Sequence, residues 1–106
     1  MAEYKIFHSA TFDREISKMD TEFRNWLDKI ENQLAESPYA GDPLGTKWFR
    51  EKKHSKYRVY FLIYEHIKSV YMVAVSDKKD QRKVINSIRL LLGFYKKEIE
   101  NLINST

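Results

Sequence analysis

Two apolar stretches decide the fold: residues 57–64 read YRVYFLIY and residues 69–75 read SVYMVAV. Both are rich in valine, isoleucine, tyrosine and phenylalanine, which are the residues that β-strands favour. The polar tetrapeptide EHIK at residues 65–68 separates them, and this length suits a reversal between antiparallel strands. The sequence therefore predicts a β-hairpin, and the other elements are interpreted around it.

The sequence before the hairpin predicts that this segment contains two more strands and two helices. A first short strand is expected at residues 4–8, followed by a short helix that begins after Ser9. Residues 23–34 repeat apolar side chains at the spacing of one buried helix face. Residues 38–45 hold both prolines and two of the three glycines, which predicts a loop. A weaker strand is expected at residues 47–52.

The sequence after the hairpin predicts one long helix over residues 79–104. Its apolar stripe steps by three and four residues, as in a coiled-coil seam, and consists of Ile85, Ile88, Leu92, Tyr95, Ile99 and Leu102. A helix of this length exceeds the width of a small sheet. We therefore expect its first turns to pack on the sheet and its far end to bind a partner, with Leu92, Tyr95, Ile99 and Leu102 as the partner-binding residues. The alternative is that the whole helix lies against its own sheet.

The element order is β-α-α-β-β-β-α, which predicts an α+β sandwich with a small antiparallel sheet and helices on one face. A chain of 106 residues is long enough for one domain, so residues 1–106 are expected to form a single domain.

Composition excludes several classes of protein. The chain has no cysteine, so it has neither disulfides nor thiolate metal sites, and its histidines lack ligand spacing. We expect no metal and no cofactor. Its longest apolar run, residues 59–64, is too short to span a bilayer. We therefore expect a soluble, cytoplasmic protein that does not contact a membrane.

Charge is distributed unevenly along the chain. Residues 1–46 hold nine acids and five bases, a balance of −4, whereas residues 47–106 hold six acids and fourteen bases, a balance of +8. The first basic cluster runs up to the start of the first hairpin strand and comprises Lys47, Arg50, Lys52, Lys53, Lys56 and Arg58. The other comprises Lys78, Lys79, Arg82 and Lys83. Pairing of the two apolar strands would bring the clusters together as one patch that binds RNA or DNA. The alternative is that these charges only maintain solubility.

Several motifs in the second half of the chain resemble the RelE/ParE superfamily of toxin–antitoxin toxins. They are Asp42-Pro43-Leu44, Lys47-Trp48-Phe49-Arg50, Lys56-Tyr57-Arg58-Val59-Tyr60 and Ser76-Asp77-Lys78-Lys79-Asp80. The resemblance extends to the element order and implies a small α+β toxin neutralised by an antitoxin. In the RelE branch it implies cleavage of mRNA on the ribosome, with the RNA's own 2′-OH as the nucleophile.

The resemblance also implies catalytic residues. Arg58 would hold a phosphate oxygen, and Lys79, with Arg82 one turn away, would supply a second positive charge. Asp42 matches the general base of the YoeB-like toxins, although an aspartate before proline is also an ordinary turn residue. Lys53 lies near the position at which RelE toxins have a catalytic lysine.

Other positions depart from the pattern. Phe49 and Glu51 stand where RelE toxins have a pair of lysines, and Ile85 stands where they have a tyrosine.

Three functions are therefore open. The first is a ribosome-dependent endoribonuclease whose RNA-binding residues are Lys47, Arg50, Lys52, Lys56, Lys78 and Arg82, and whose partners are an antitoxin, the ribosome and mRNA. The second is a ParE-like toxin that acts on DNA gyrase without RNA chemistry. The third is a catalytically silent binding module with the same fold. In each case the terminal helix would contact an antitoxin or a second copy of the chain.

Overall fold

A five-stranded mixed sheet between two pairs of helices forms the body of the protein. The computed structural model describes residues 3–105. The strands are β1 (Lys5–His8), β2 (Asp42–Thr46), β3 (Phe49–His54), β4 (Tyr57–Tyr64) and β5 (Ser69–Asp77). The helices are α1 (Ala10–Ile16), α2 (Thr21–Glu36), α3 (Gln81–Leu90) and α4 (Leu92–Asn104). Short 3₁₀ turns occupy Pro38–Ala40 and Glu65–Ile67.

The predicted hairpin is the centre of the sheet. Strands β4 and β5 pair antiparallel from Tyr57–Asp77 to Tyr64–Ser69, with a bulge that begins after Tyr60. The strand order is β1-β5-β4-β3-β2, in which β2, β3, β4 and β5 form an antiparallel meander. Strand β1 pairs with β5 in parallel. The predicted α+β class is confirmed, and the sheet has one strand more than expected because β2 falls inside the predicted loop at residues 38–45.

Helices α1 and α2 cover one side of the sheet, which we call the α2 face. Phe12, Phe23 and Leu27 from these helices pack against Val59 and Phe61 of β4. Local capping fixes both helices: the Ser9 hydroxyl accepts a hydrogen bond from the Phe12 amide, and the Asp20 carboxylate accepts one from the Phe23 amide. Such caps stabilise a helix by about 1 kcal/mol each.

Helices α3 and α4 cover the opposite side, which we call the α3 face. Ile88 of α3, with Tyr95 and Ile99 of α4, packs against Tyr60 and Leu62 of β4. Successive residues of a strand point to opposite faces, and β4 is apolar on both because helices cover both. The expectation of helices on a single face is therefore wrong.

The terminal segment is two helices instead of one long helix. Leu91 has φ −105° and ψ 12°, which ends α3, and α4 begins at the next residue. The bend lets α4 lie on the sheet, so Ile99 is fully buried and Tyr95 is nearly so, while Leu92 is half-buried. Of the four residues expected to bind a partner at the far end, only Leu102 is exposed. The predicted overhanging seam is therefore wrong, because the far end of the helix is core.

Among residues 3–105, no helix has both the length and the apolar character needed to cross a bilayer.

Candidate functional site

Polar side chains form two rows across the α3 face, at the end of the sheet where α3 begins. Val59 and Phe61 belong to the α2-face core, so strand alternation places Arg58 and Tyr60 on the α3 face. Cross-strand neighbours lie about 5 Å apart and interact directly. The first row is Asp42, Glu51 and Tyr60, and the second is Lys53, Arg58 and Ser76.

Arg58 presents one unused edge of its guanidinium group. Only 8% of the residue is exposed, and its Nη1 donates hydrogen bonds to the Ser55 carbonyl at 3.2 Å and the Tyr57 carbonyl at 3.0 Å. Its Nε is buried and has no hydrogen-bond partner among residues 3–105. Nε and Nη2 form the edge of the guanidinium plane that grips carboxylates and phosphates with two parallel hydrogen bonds. Because a buried donor without a partner is destabilising, an oxyanion that reached Nε and Nη2 would satisfy a donor that the fold leaves unpaired.

Lys53 lies between two carboxylates. Its Nζ is 3.9 Å from Asp42 Oδ2 and 4.0 Å from Glu51 Oε2. The Asp42 and Lys53 side chains are exposed, whereas that of Glu51 is almost fully buried. Gln81, at the start of α3, donates a hydrogen bond from Nε2 to Glu51 Oε1 at 3.0 Å. Glu51 therefore balances the adjacent positive charges of Lys53 and Arg58 and ties α3 to the sheet.

Tyr60 and Ser76 close the inner side of the site. The Ser76 hydroxyl donates to the Asp77 carbonyl. Because that hydroxyl has one proton, the Tyr60 hydroxyl donates to Ser76 Oγ, at 2.8 Å. Burial is the main cause that raises the pKa of Tyr60 above its usual value. Tyr60 is thus a neutral, buried support for the site and does not reach its surface.

The two basic clusters meet only in part. The Lys78 amide donates to the Lys56 carbonyl at 2.7 Å, which joins the β3–β4 turn to the segment after β5. Lys56, Lys78, Lys79 and Arg82 are all exposed near this junction, at the same end of the sheet as Arg58. The strand ends therefore come together as the sequence predicts.

Three of the predicted RNA-binding residues lie elsewhere. The Arg50 guanidinium donates to the carbonyls of Tyr39, Gly41 and Lys47, and its Cζ lies over the Tyr39 ring, 5.6 Å from the centroid. Lys52 follows Arg50 by two residues, so it points to the same α2 face. Lys47 lies in the β2–β3 turn, at the opposite end of the sheet from Arg58. The expectation of one continuous basic patch is therefore wrong for these three residues.

Sequence reasoning missed the supporting residues of the site. Glu51 was visible as a lone acid within a basic stretch, and its spacing from Phe49 places both on one strand face. Gln81 and Ser76 carry no comparable signal, because their role depends on where α3 begins against the sheet. Ile85, at the tyrosine position, is half-buried in the α3-face core.

Several solved structures have a fold similar to that of this chain. No protein-family model and no curated protein matches the sequence. A mutant of the Escherichia coli toxin RelE in the free state matches with a TM-score of 0.71 and 17% identity, covering 84% of this chain and 98% of RelE. The same toxin bound to a peptide of the antitoxin RelB matches with a TM-score of 0.65 and 21% identity, covering 79% and 95%. The toxin–antitoxin complex RelBE2 from Mycobacterium tuberculosis gives 0.63 and 18%, covering 73% and 93%. The chain therefore has the RelE fold.

Proposed function

We propose that this protein is the toxin of a toxin–antitoxin pair and that it cleaves mRNA on the ribosome. The observation that carries the proposal is Arg58, whose Nη1 is anchored on two backbone carbonyls and whose Nε has no hydrogen-bond partner in the described chain. It lies beside the Lys53 and Asp42 pair, on a fold shared with RelE toxins. A phosphate binder, a cation and an exposed carboxylate are the groups that RNA cleavage through the 2′-OH requires.

Each side chain has a role in this reaction. Asp42, exposed and 3.9 Å from Lys53, takes the proton from the 2′-OH as that oxygen attacks the phosphorus. Arg58 holds the non-bridging oxygens while negative charge develops on them. The P–O5′ bond breaks, and Lys53 gives a proton to the leaving oxygen. The products are a 2′,3′-cyclic phosphate and a free 5′-OH. Lys79 and Arg82, exposed at the rim, contact the flanking phosphates.

Partners follow from the same proposal. RelE has been solved with RelB, and RelBE2 is a toxin–antitoxin complex; we infer a cognate antitoxin here, encoded by the neighbouring reading frame. A target on the ribosome places the protein in the cytoplasm, in contact with mRNA.

The test is cleavage of mRNA on programmed ribosomes, with the chemistry of the new ends determined. The parent should leave cyclic phosphate and 5′-OH ends. Arg58→Lys keeps the charge but loses the two-pronged edge, so cleavage should slow by about tenfold or more. Asp42→Asn removes the base and should slow cleavage by about 100-fold or more.

Arg24→Ala is the matched control, since Arg24 is an exposed arginine of α2, on the other side of the sheet. It should cleave like the parent. A parent that leaves mRNA intact contradicts the proposal.

A ParE-like toxin that acts on DNA gyrase is the second candidate. It is favoured by Glu51 and Ile85, which stand where the RelE resemblance implies a lysine and a tyrosine. In that case the protein would arrest growth and inhibit gyrase supercoiling while mRNA stays intact, and Arg58→Lys would change neither effect. Inactivity in both assays would leave the third candidate, a silent binding module.

A further inference from the structure

The junction between α3 and α4 exposes large apolar side chains. Leu90 is 87% exposed, Phe94 55% and Leu91 42%. Ile88 before the bend and Tyr95 after it are both buried against the sheet. The bend that buries these two residues turns their neighbours outward. We call Leu90, Leu91 and Phe94 the elbow. Clustered apolar side chains at a surface mark an interaction site more often than isolated ones do.

The elbow continues into a groove. A cavity of about 410 Å³ runs beside β5, and Leu91 and Tyr95 line it together with Val84 and Ile88 of α3. Residues 73–75 of β5 also line it. Strand β1 pairs with β5 only as far as Met72. In the described chain, residues 73–75 therefore have β4 on one side and no strand on the other. The elbow and the groove together offer a continuous apolar track along one side of α3.

Charge around the elbow is predominantly positive. Residues 81–97 contain no acid, and their five basic residues, all exposed, are Arg82, Lys83, Arg89, Lys96 and Lys97. Two acids line the groove, Glu15 on α1 and Asp80 before α3, and both lie outside this segment. A partner that fits must therefore combine apolar side chains with flanking carboxylates.

Gly93 adds an independent indication. A Cβ added at Gly93 would meet no atom of the described chain within 4 Å. A glycine inside a helix is unfavourable relative to alanine, and packing within residues 3–105 does not require it here. Small residues at a helix surface let a second helix approach closely. Gly93 lies next to Phe94, at the start of α4.

We propose that the elbow and its groove bind an acidic, amphipathic helix of a partner protein, and, if the proposed function holds, that this helix belongs to the antitoxin. Leu90 and Phe94 are the anchors, Leu91 connects them to the groove, and Lys83, Arg89, Lys96 and Lys97 pair with the helix's carboxylates. In helix-in-groove binding, the apolar face of an amphipathic helix lies in an apolar groove of its partner. Counted along α3, Leu90 is nine residues from Gln81, or about 14 Å. The elbow is thus at the opposite end of α3 from Gln81, which borders the Arg58 site.

The experiment uses the full chain and the protein encoded by the neighbouring reading frame, with affinity measured by titration calorimetry. The double variant Leu90→Ser/Phe94→Ser should bind at least about 100-fold more weakly, as loss of two anchors predicts. Leu102→Ser is the matched control, because Leu102 is also an exposed leucine, near the far end of α4 and outside the groove. Its affinity should stay within about threefold of the parent's.

Gly93 provides a test that does not depend on solubility changes. Gly93→Ala should raise the Tm of the isolated chain, whereas Gly93→Leu should fold but bind the partner more weakly. Affinity for the partner should also fall with added salt.

Three outcomes overturn the proposal. They are equal affinity of the parent and the double variant, no binding of the neighbouring protein to the parent, and a concentration-dependent dimer of the chain that the double variant abolishes. The last result would assign the elbow to a second copy. Ribosomal cleavage by the double variant is measured in parallel and should be retained. Loss of docking is thereby distinguished from failure of the proposed RNase activity.

Discussion

Arg50 and Arg58 show how differently the two faces of one sheet use the same side chain. Arg50 lies on the α2 face, where Nε, Nη1 and Nη2 all donate to backbone carbonyls. Arg58 lies on the α3 face, where Nη1 is anchored and Nε has no partner in the described chain. A saturated guanidinium group holds a fold together. A guanidinium group with an unpaired Nε keeps a donor that an anion can use.

The difference extends beyond these two residues. On the α2 face, both ring nitrogens of His8 are within hydrogen-bonding distance of carboxylates. On the α3 face, Lys53 sits about 4 Å from its two carboxylates and remains half exposed. These contacts are what the proposed function requires, with structural contacts on the α2 face and the proposed reactive groups at the polar end of the α3 face.

The largest expected effect is that of Arg58→Ala on cleavage. Removal of a contact made to the developing charge in the transition state should slow mRNA cleavage by about 100- to 1,000-fold, or about 2.7–4 kcal/mol. Stability should fall less than in Arg50→Ala, because the variant removes two hydrogen bonds to carbonyls but also a buried donor that has no partner in the described chain. Cleavage on programmed ribosomes and urea unfolding measure the two quantities. A variant that unfolds but, once refolded by osmolyte, still cleaves would reverse the comparison.

Arg50→Ala should show the opposite pattern. Its loss leaves three carbonyls without their donor, including that of the buried Gly41, and should destabilise the fold by about 1–3 kcal/mol. Cleavage by the folded fraction should equal that of the parent. Urea unfolding with Arg24→Ala as control measures the first effect. Loss of cleavage at unchanged stability would place Arg50 in the site and erase the distinction between the faces.

The sequence could predict much of this arrangement because strand patterns report on burial. The apolar runs at residues 57–64 and 69–75 predicted the central hairpin, and helical spacing predicted α2. Strand β2 was missed because Pro43 and Gly45 indicate a turn, and pairing with β3 overrides that local preference. The bend at Leu91 was missed because the apolar stripe continues through it, although its two halves pack against different parts of one core.

Within the site, residue types were easier to predict than contacts. Arg58, Lys53 and Asp42 were identified through resemblance, and the structure brings them to one end of the α3 face. Arg50 and Lys52 are equally basic, and only the alternation of β3 separates them from Lys53. The open edge of Arg58 depends on the conformation of the β3–β4 turn, where Ser55 has a positive φ of 57°. Composition does not report such geometry.

A smaller effect is expected for Glu51→Gln, which tests why a buried acid lies beside two cations. The amide can keep its contact with Gln81 but no longer balances Lys53 and Arg58. A partly exposed ion pair contributes at most about 1 kcal/mol, so cleavage should fall by up to roughly fivefold, and Glu51→Asp should recover part of it. The measurement is kcat and KM on programmed ribosomes at low and high salt. An unchanged rate at both salt concentrations would show that Glu51 serves only the fold.

The smallest expected effect concerns His8 on the α2 face. Its Nε2 is 2.5 Å from Glu31 Oε2 and its Nδ1 is 2.7 Å from Asp13 Oδ1. The hydrogen bond to Glu31 is the main cause that raises the pKa of His8 above 6.5, and desolvation opposes it. A raised pKa means that the folded state holds the proton more tightly than the unfolded state does. The resulting stabilisation is therefore complete below pH 6.5 and is lost as the pH rises through the folded-state pKa of His8.

Urea unfolding at a series of pH values, for the parent and for His8→Gln, measures this contribution. The difference in the free energy of unfolding between the two should decrease as the pH rises from below 6.5, and Glu31→Gln should flatten the curve because it removes the main partner. Cleavage should not follow the same dependence, since His8 lies on the face that is saturated with internal contacts. Two results would show that the α2 face is not purely structural. One is a difference in the free energy of unfolding that does not change with pH, and the other is a cleavage rate that follows the titration of His8.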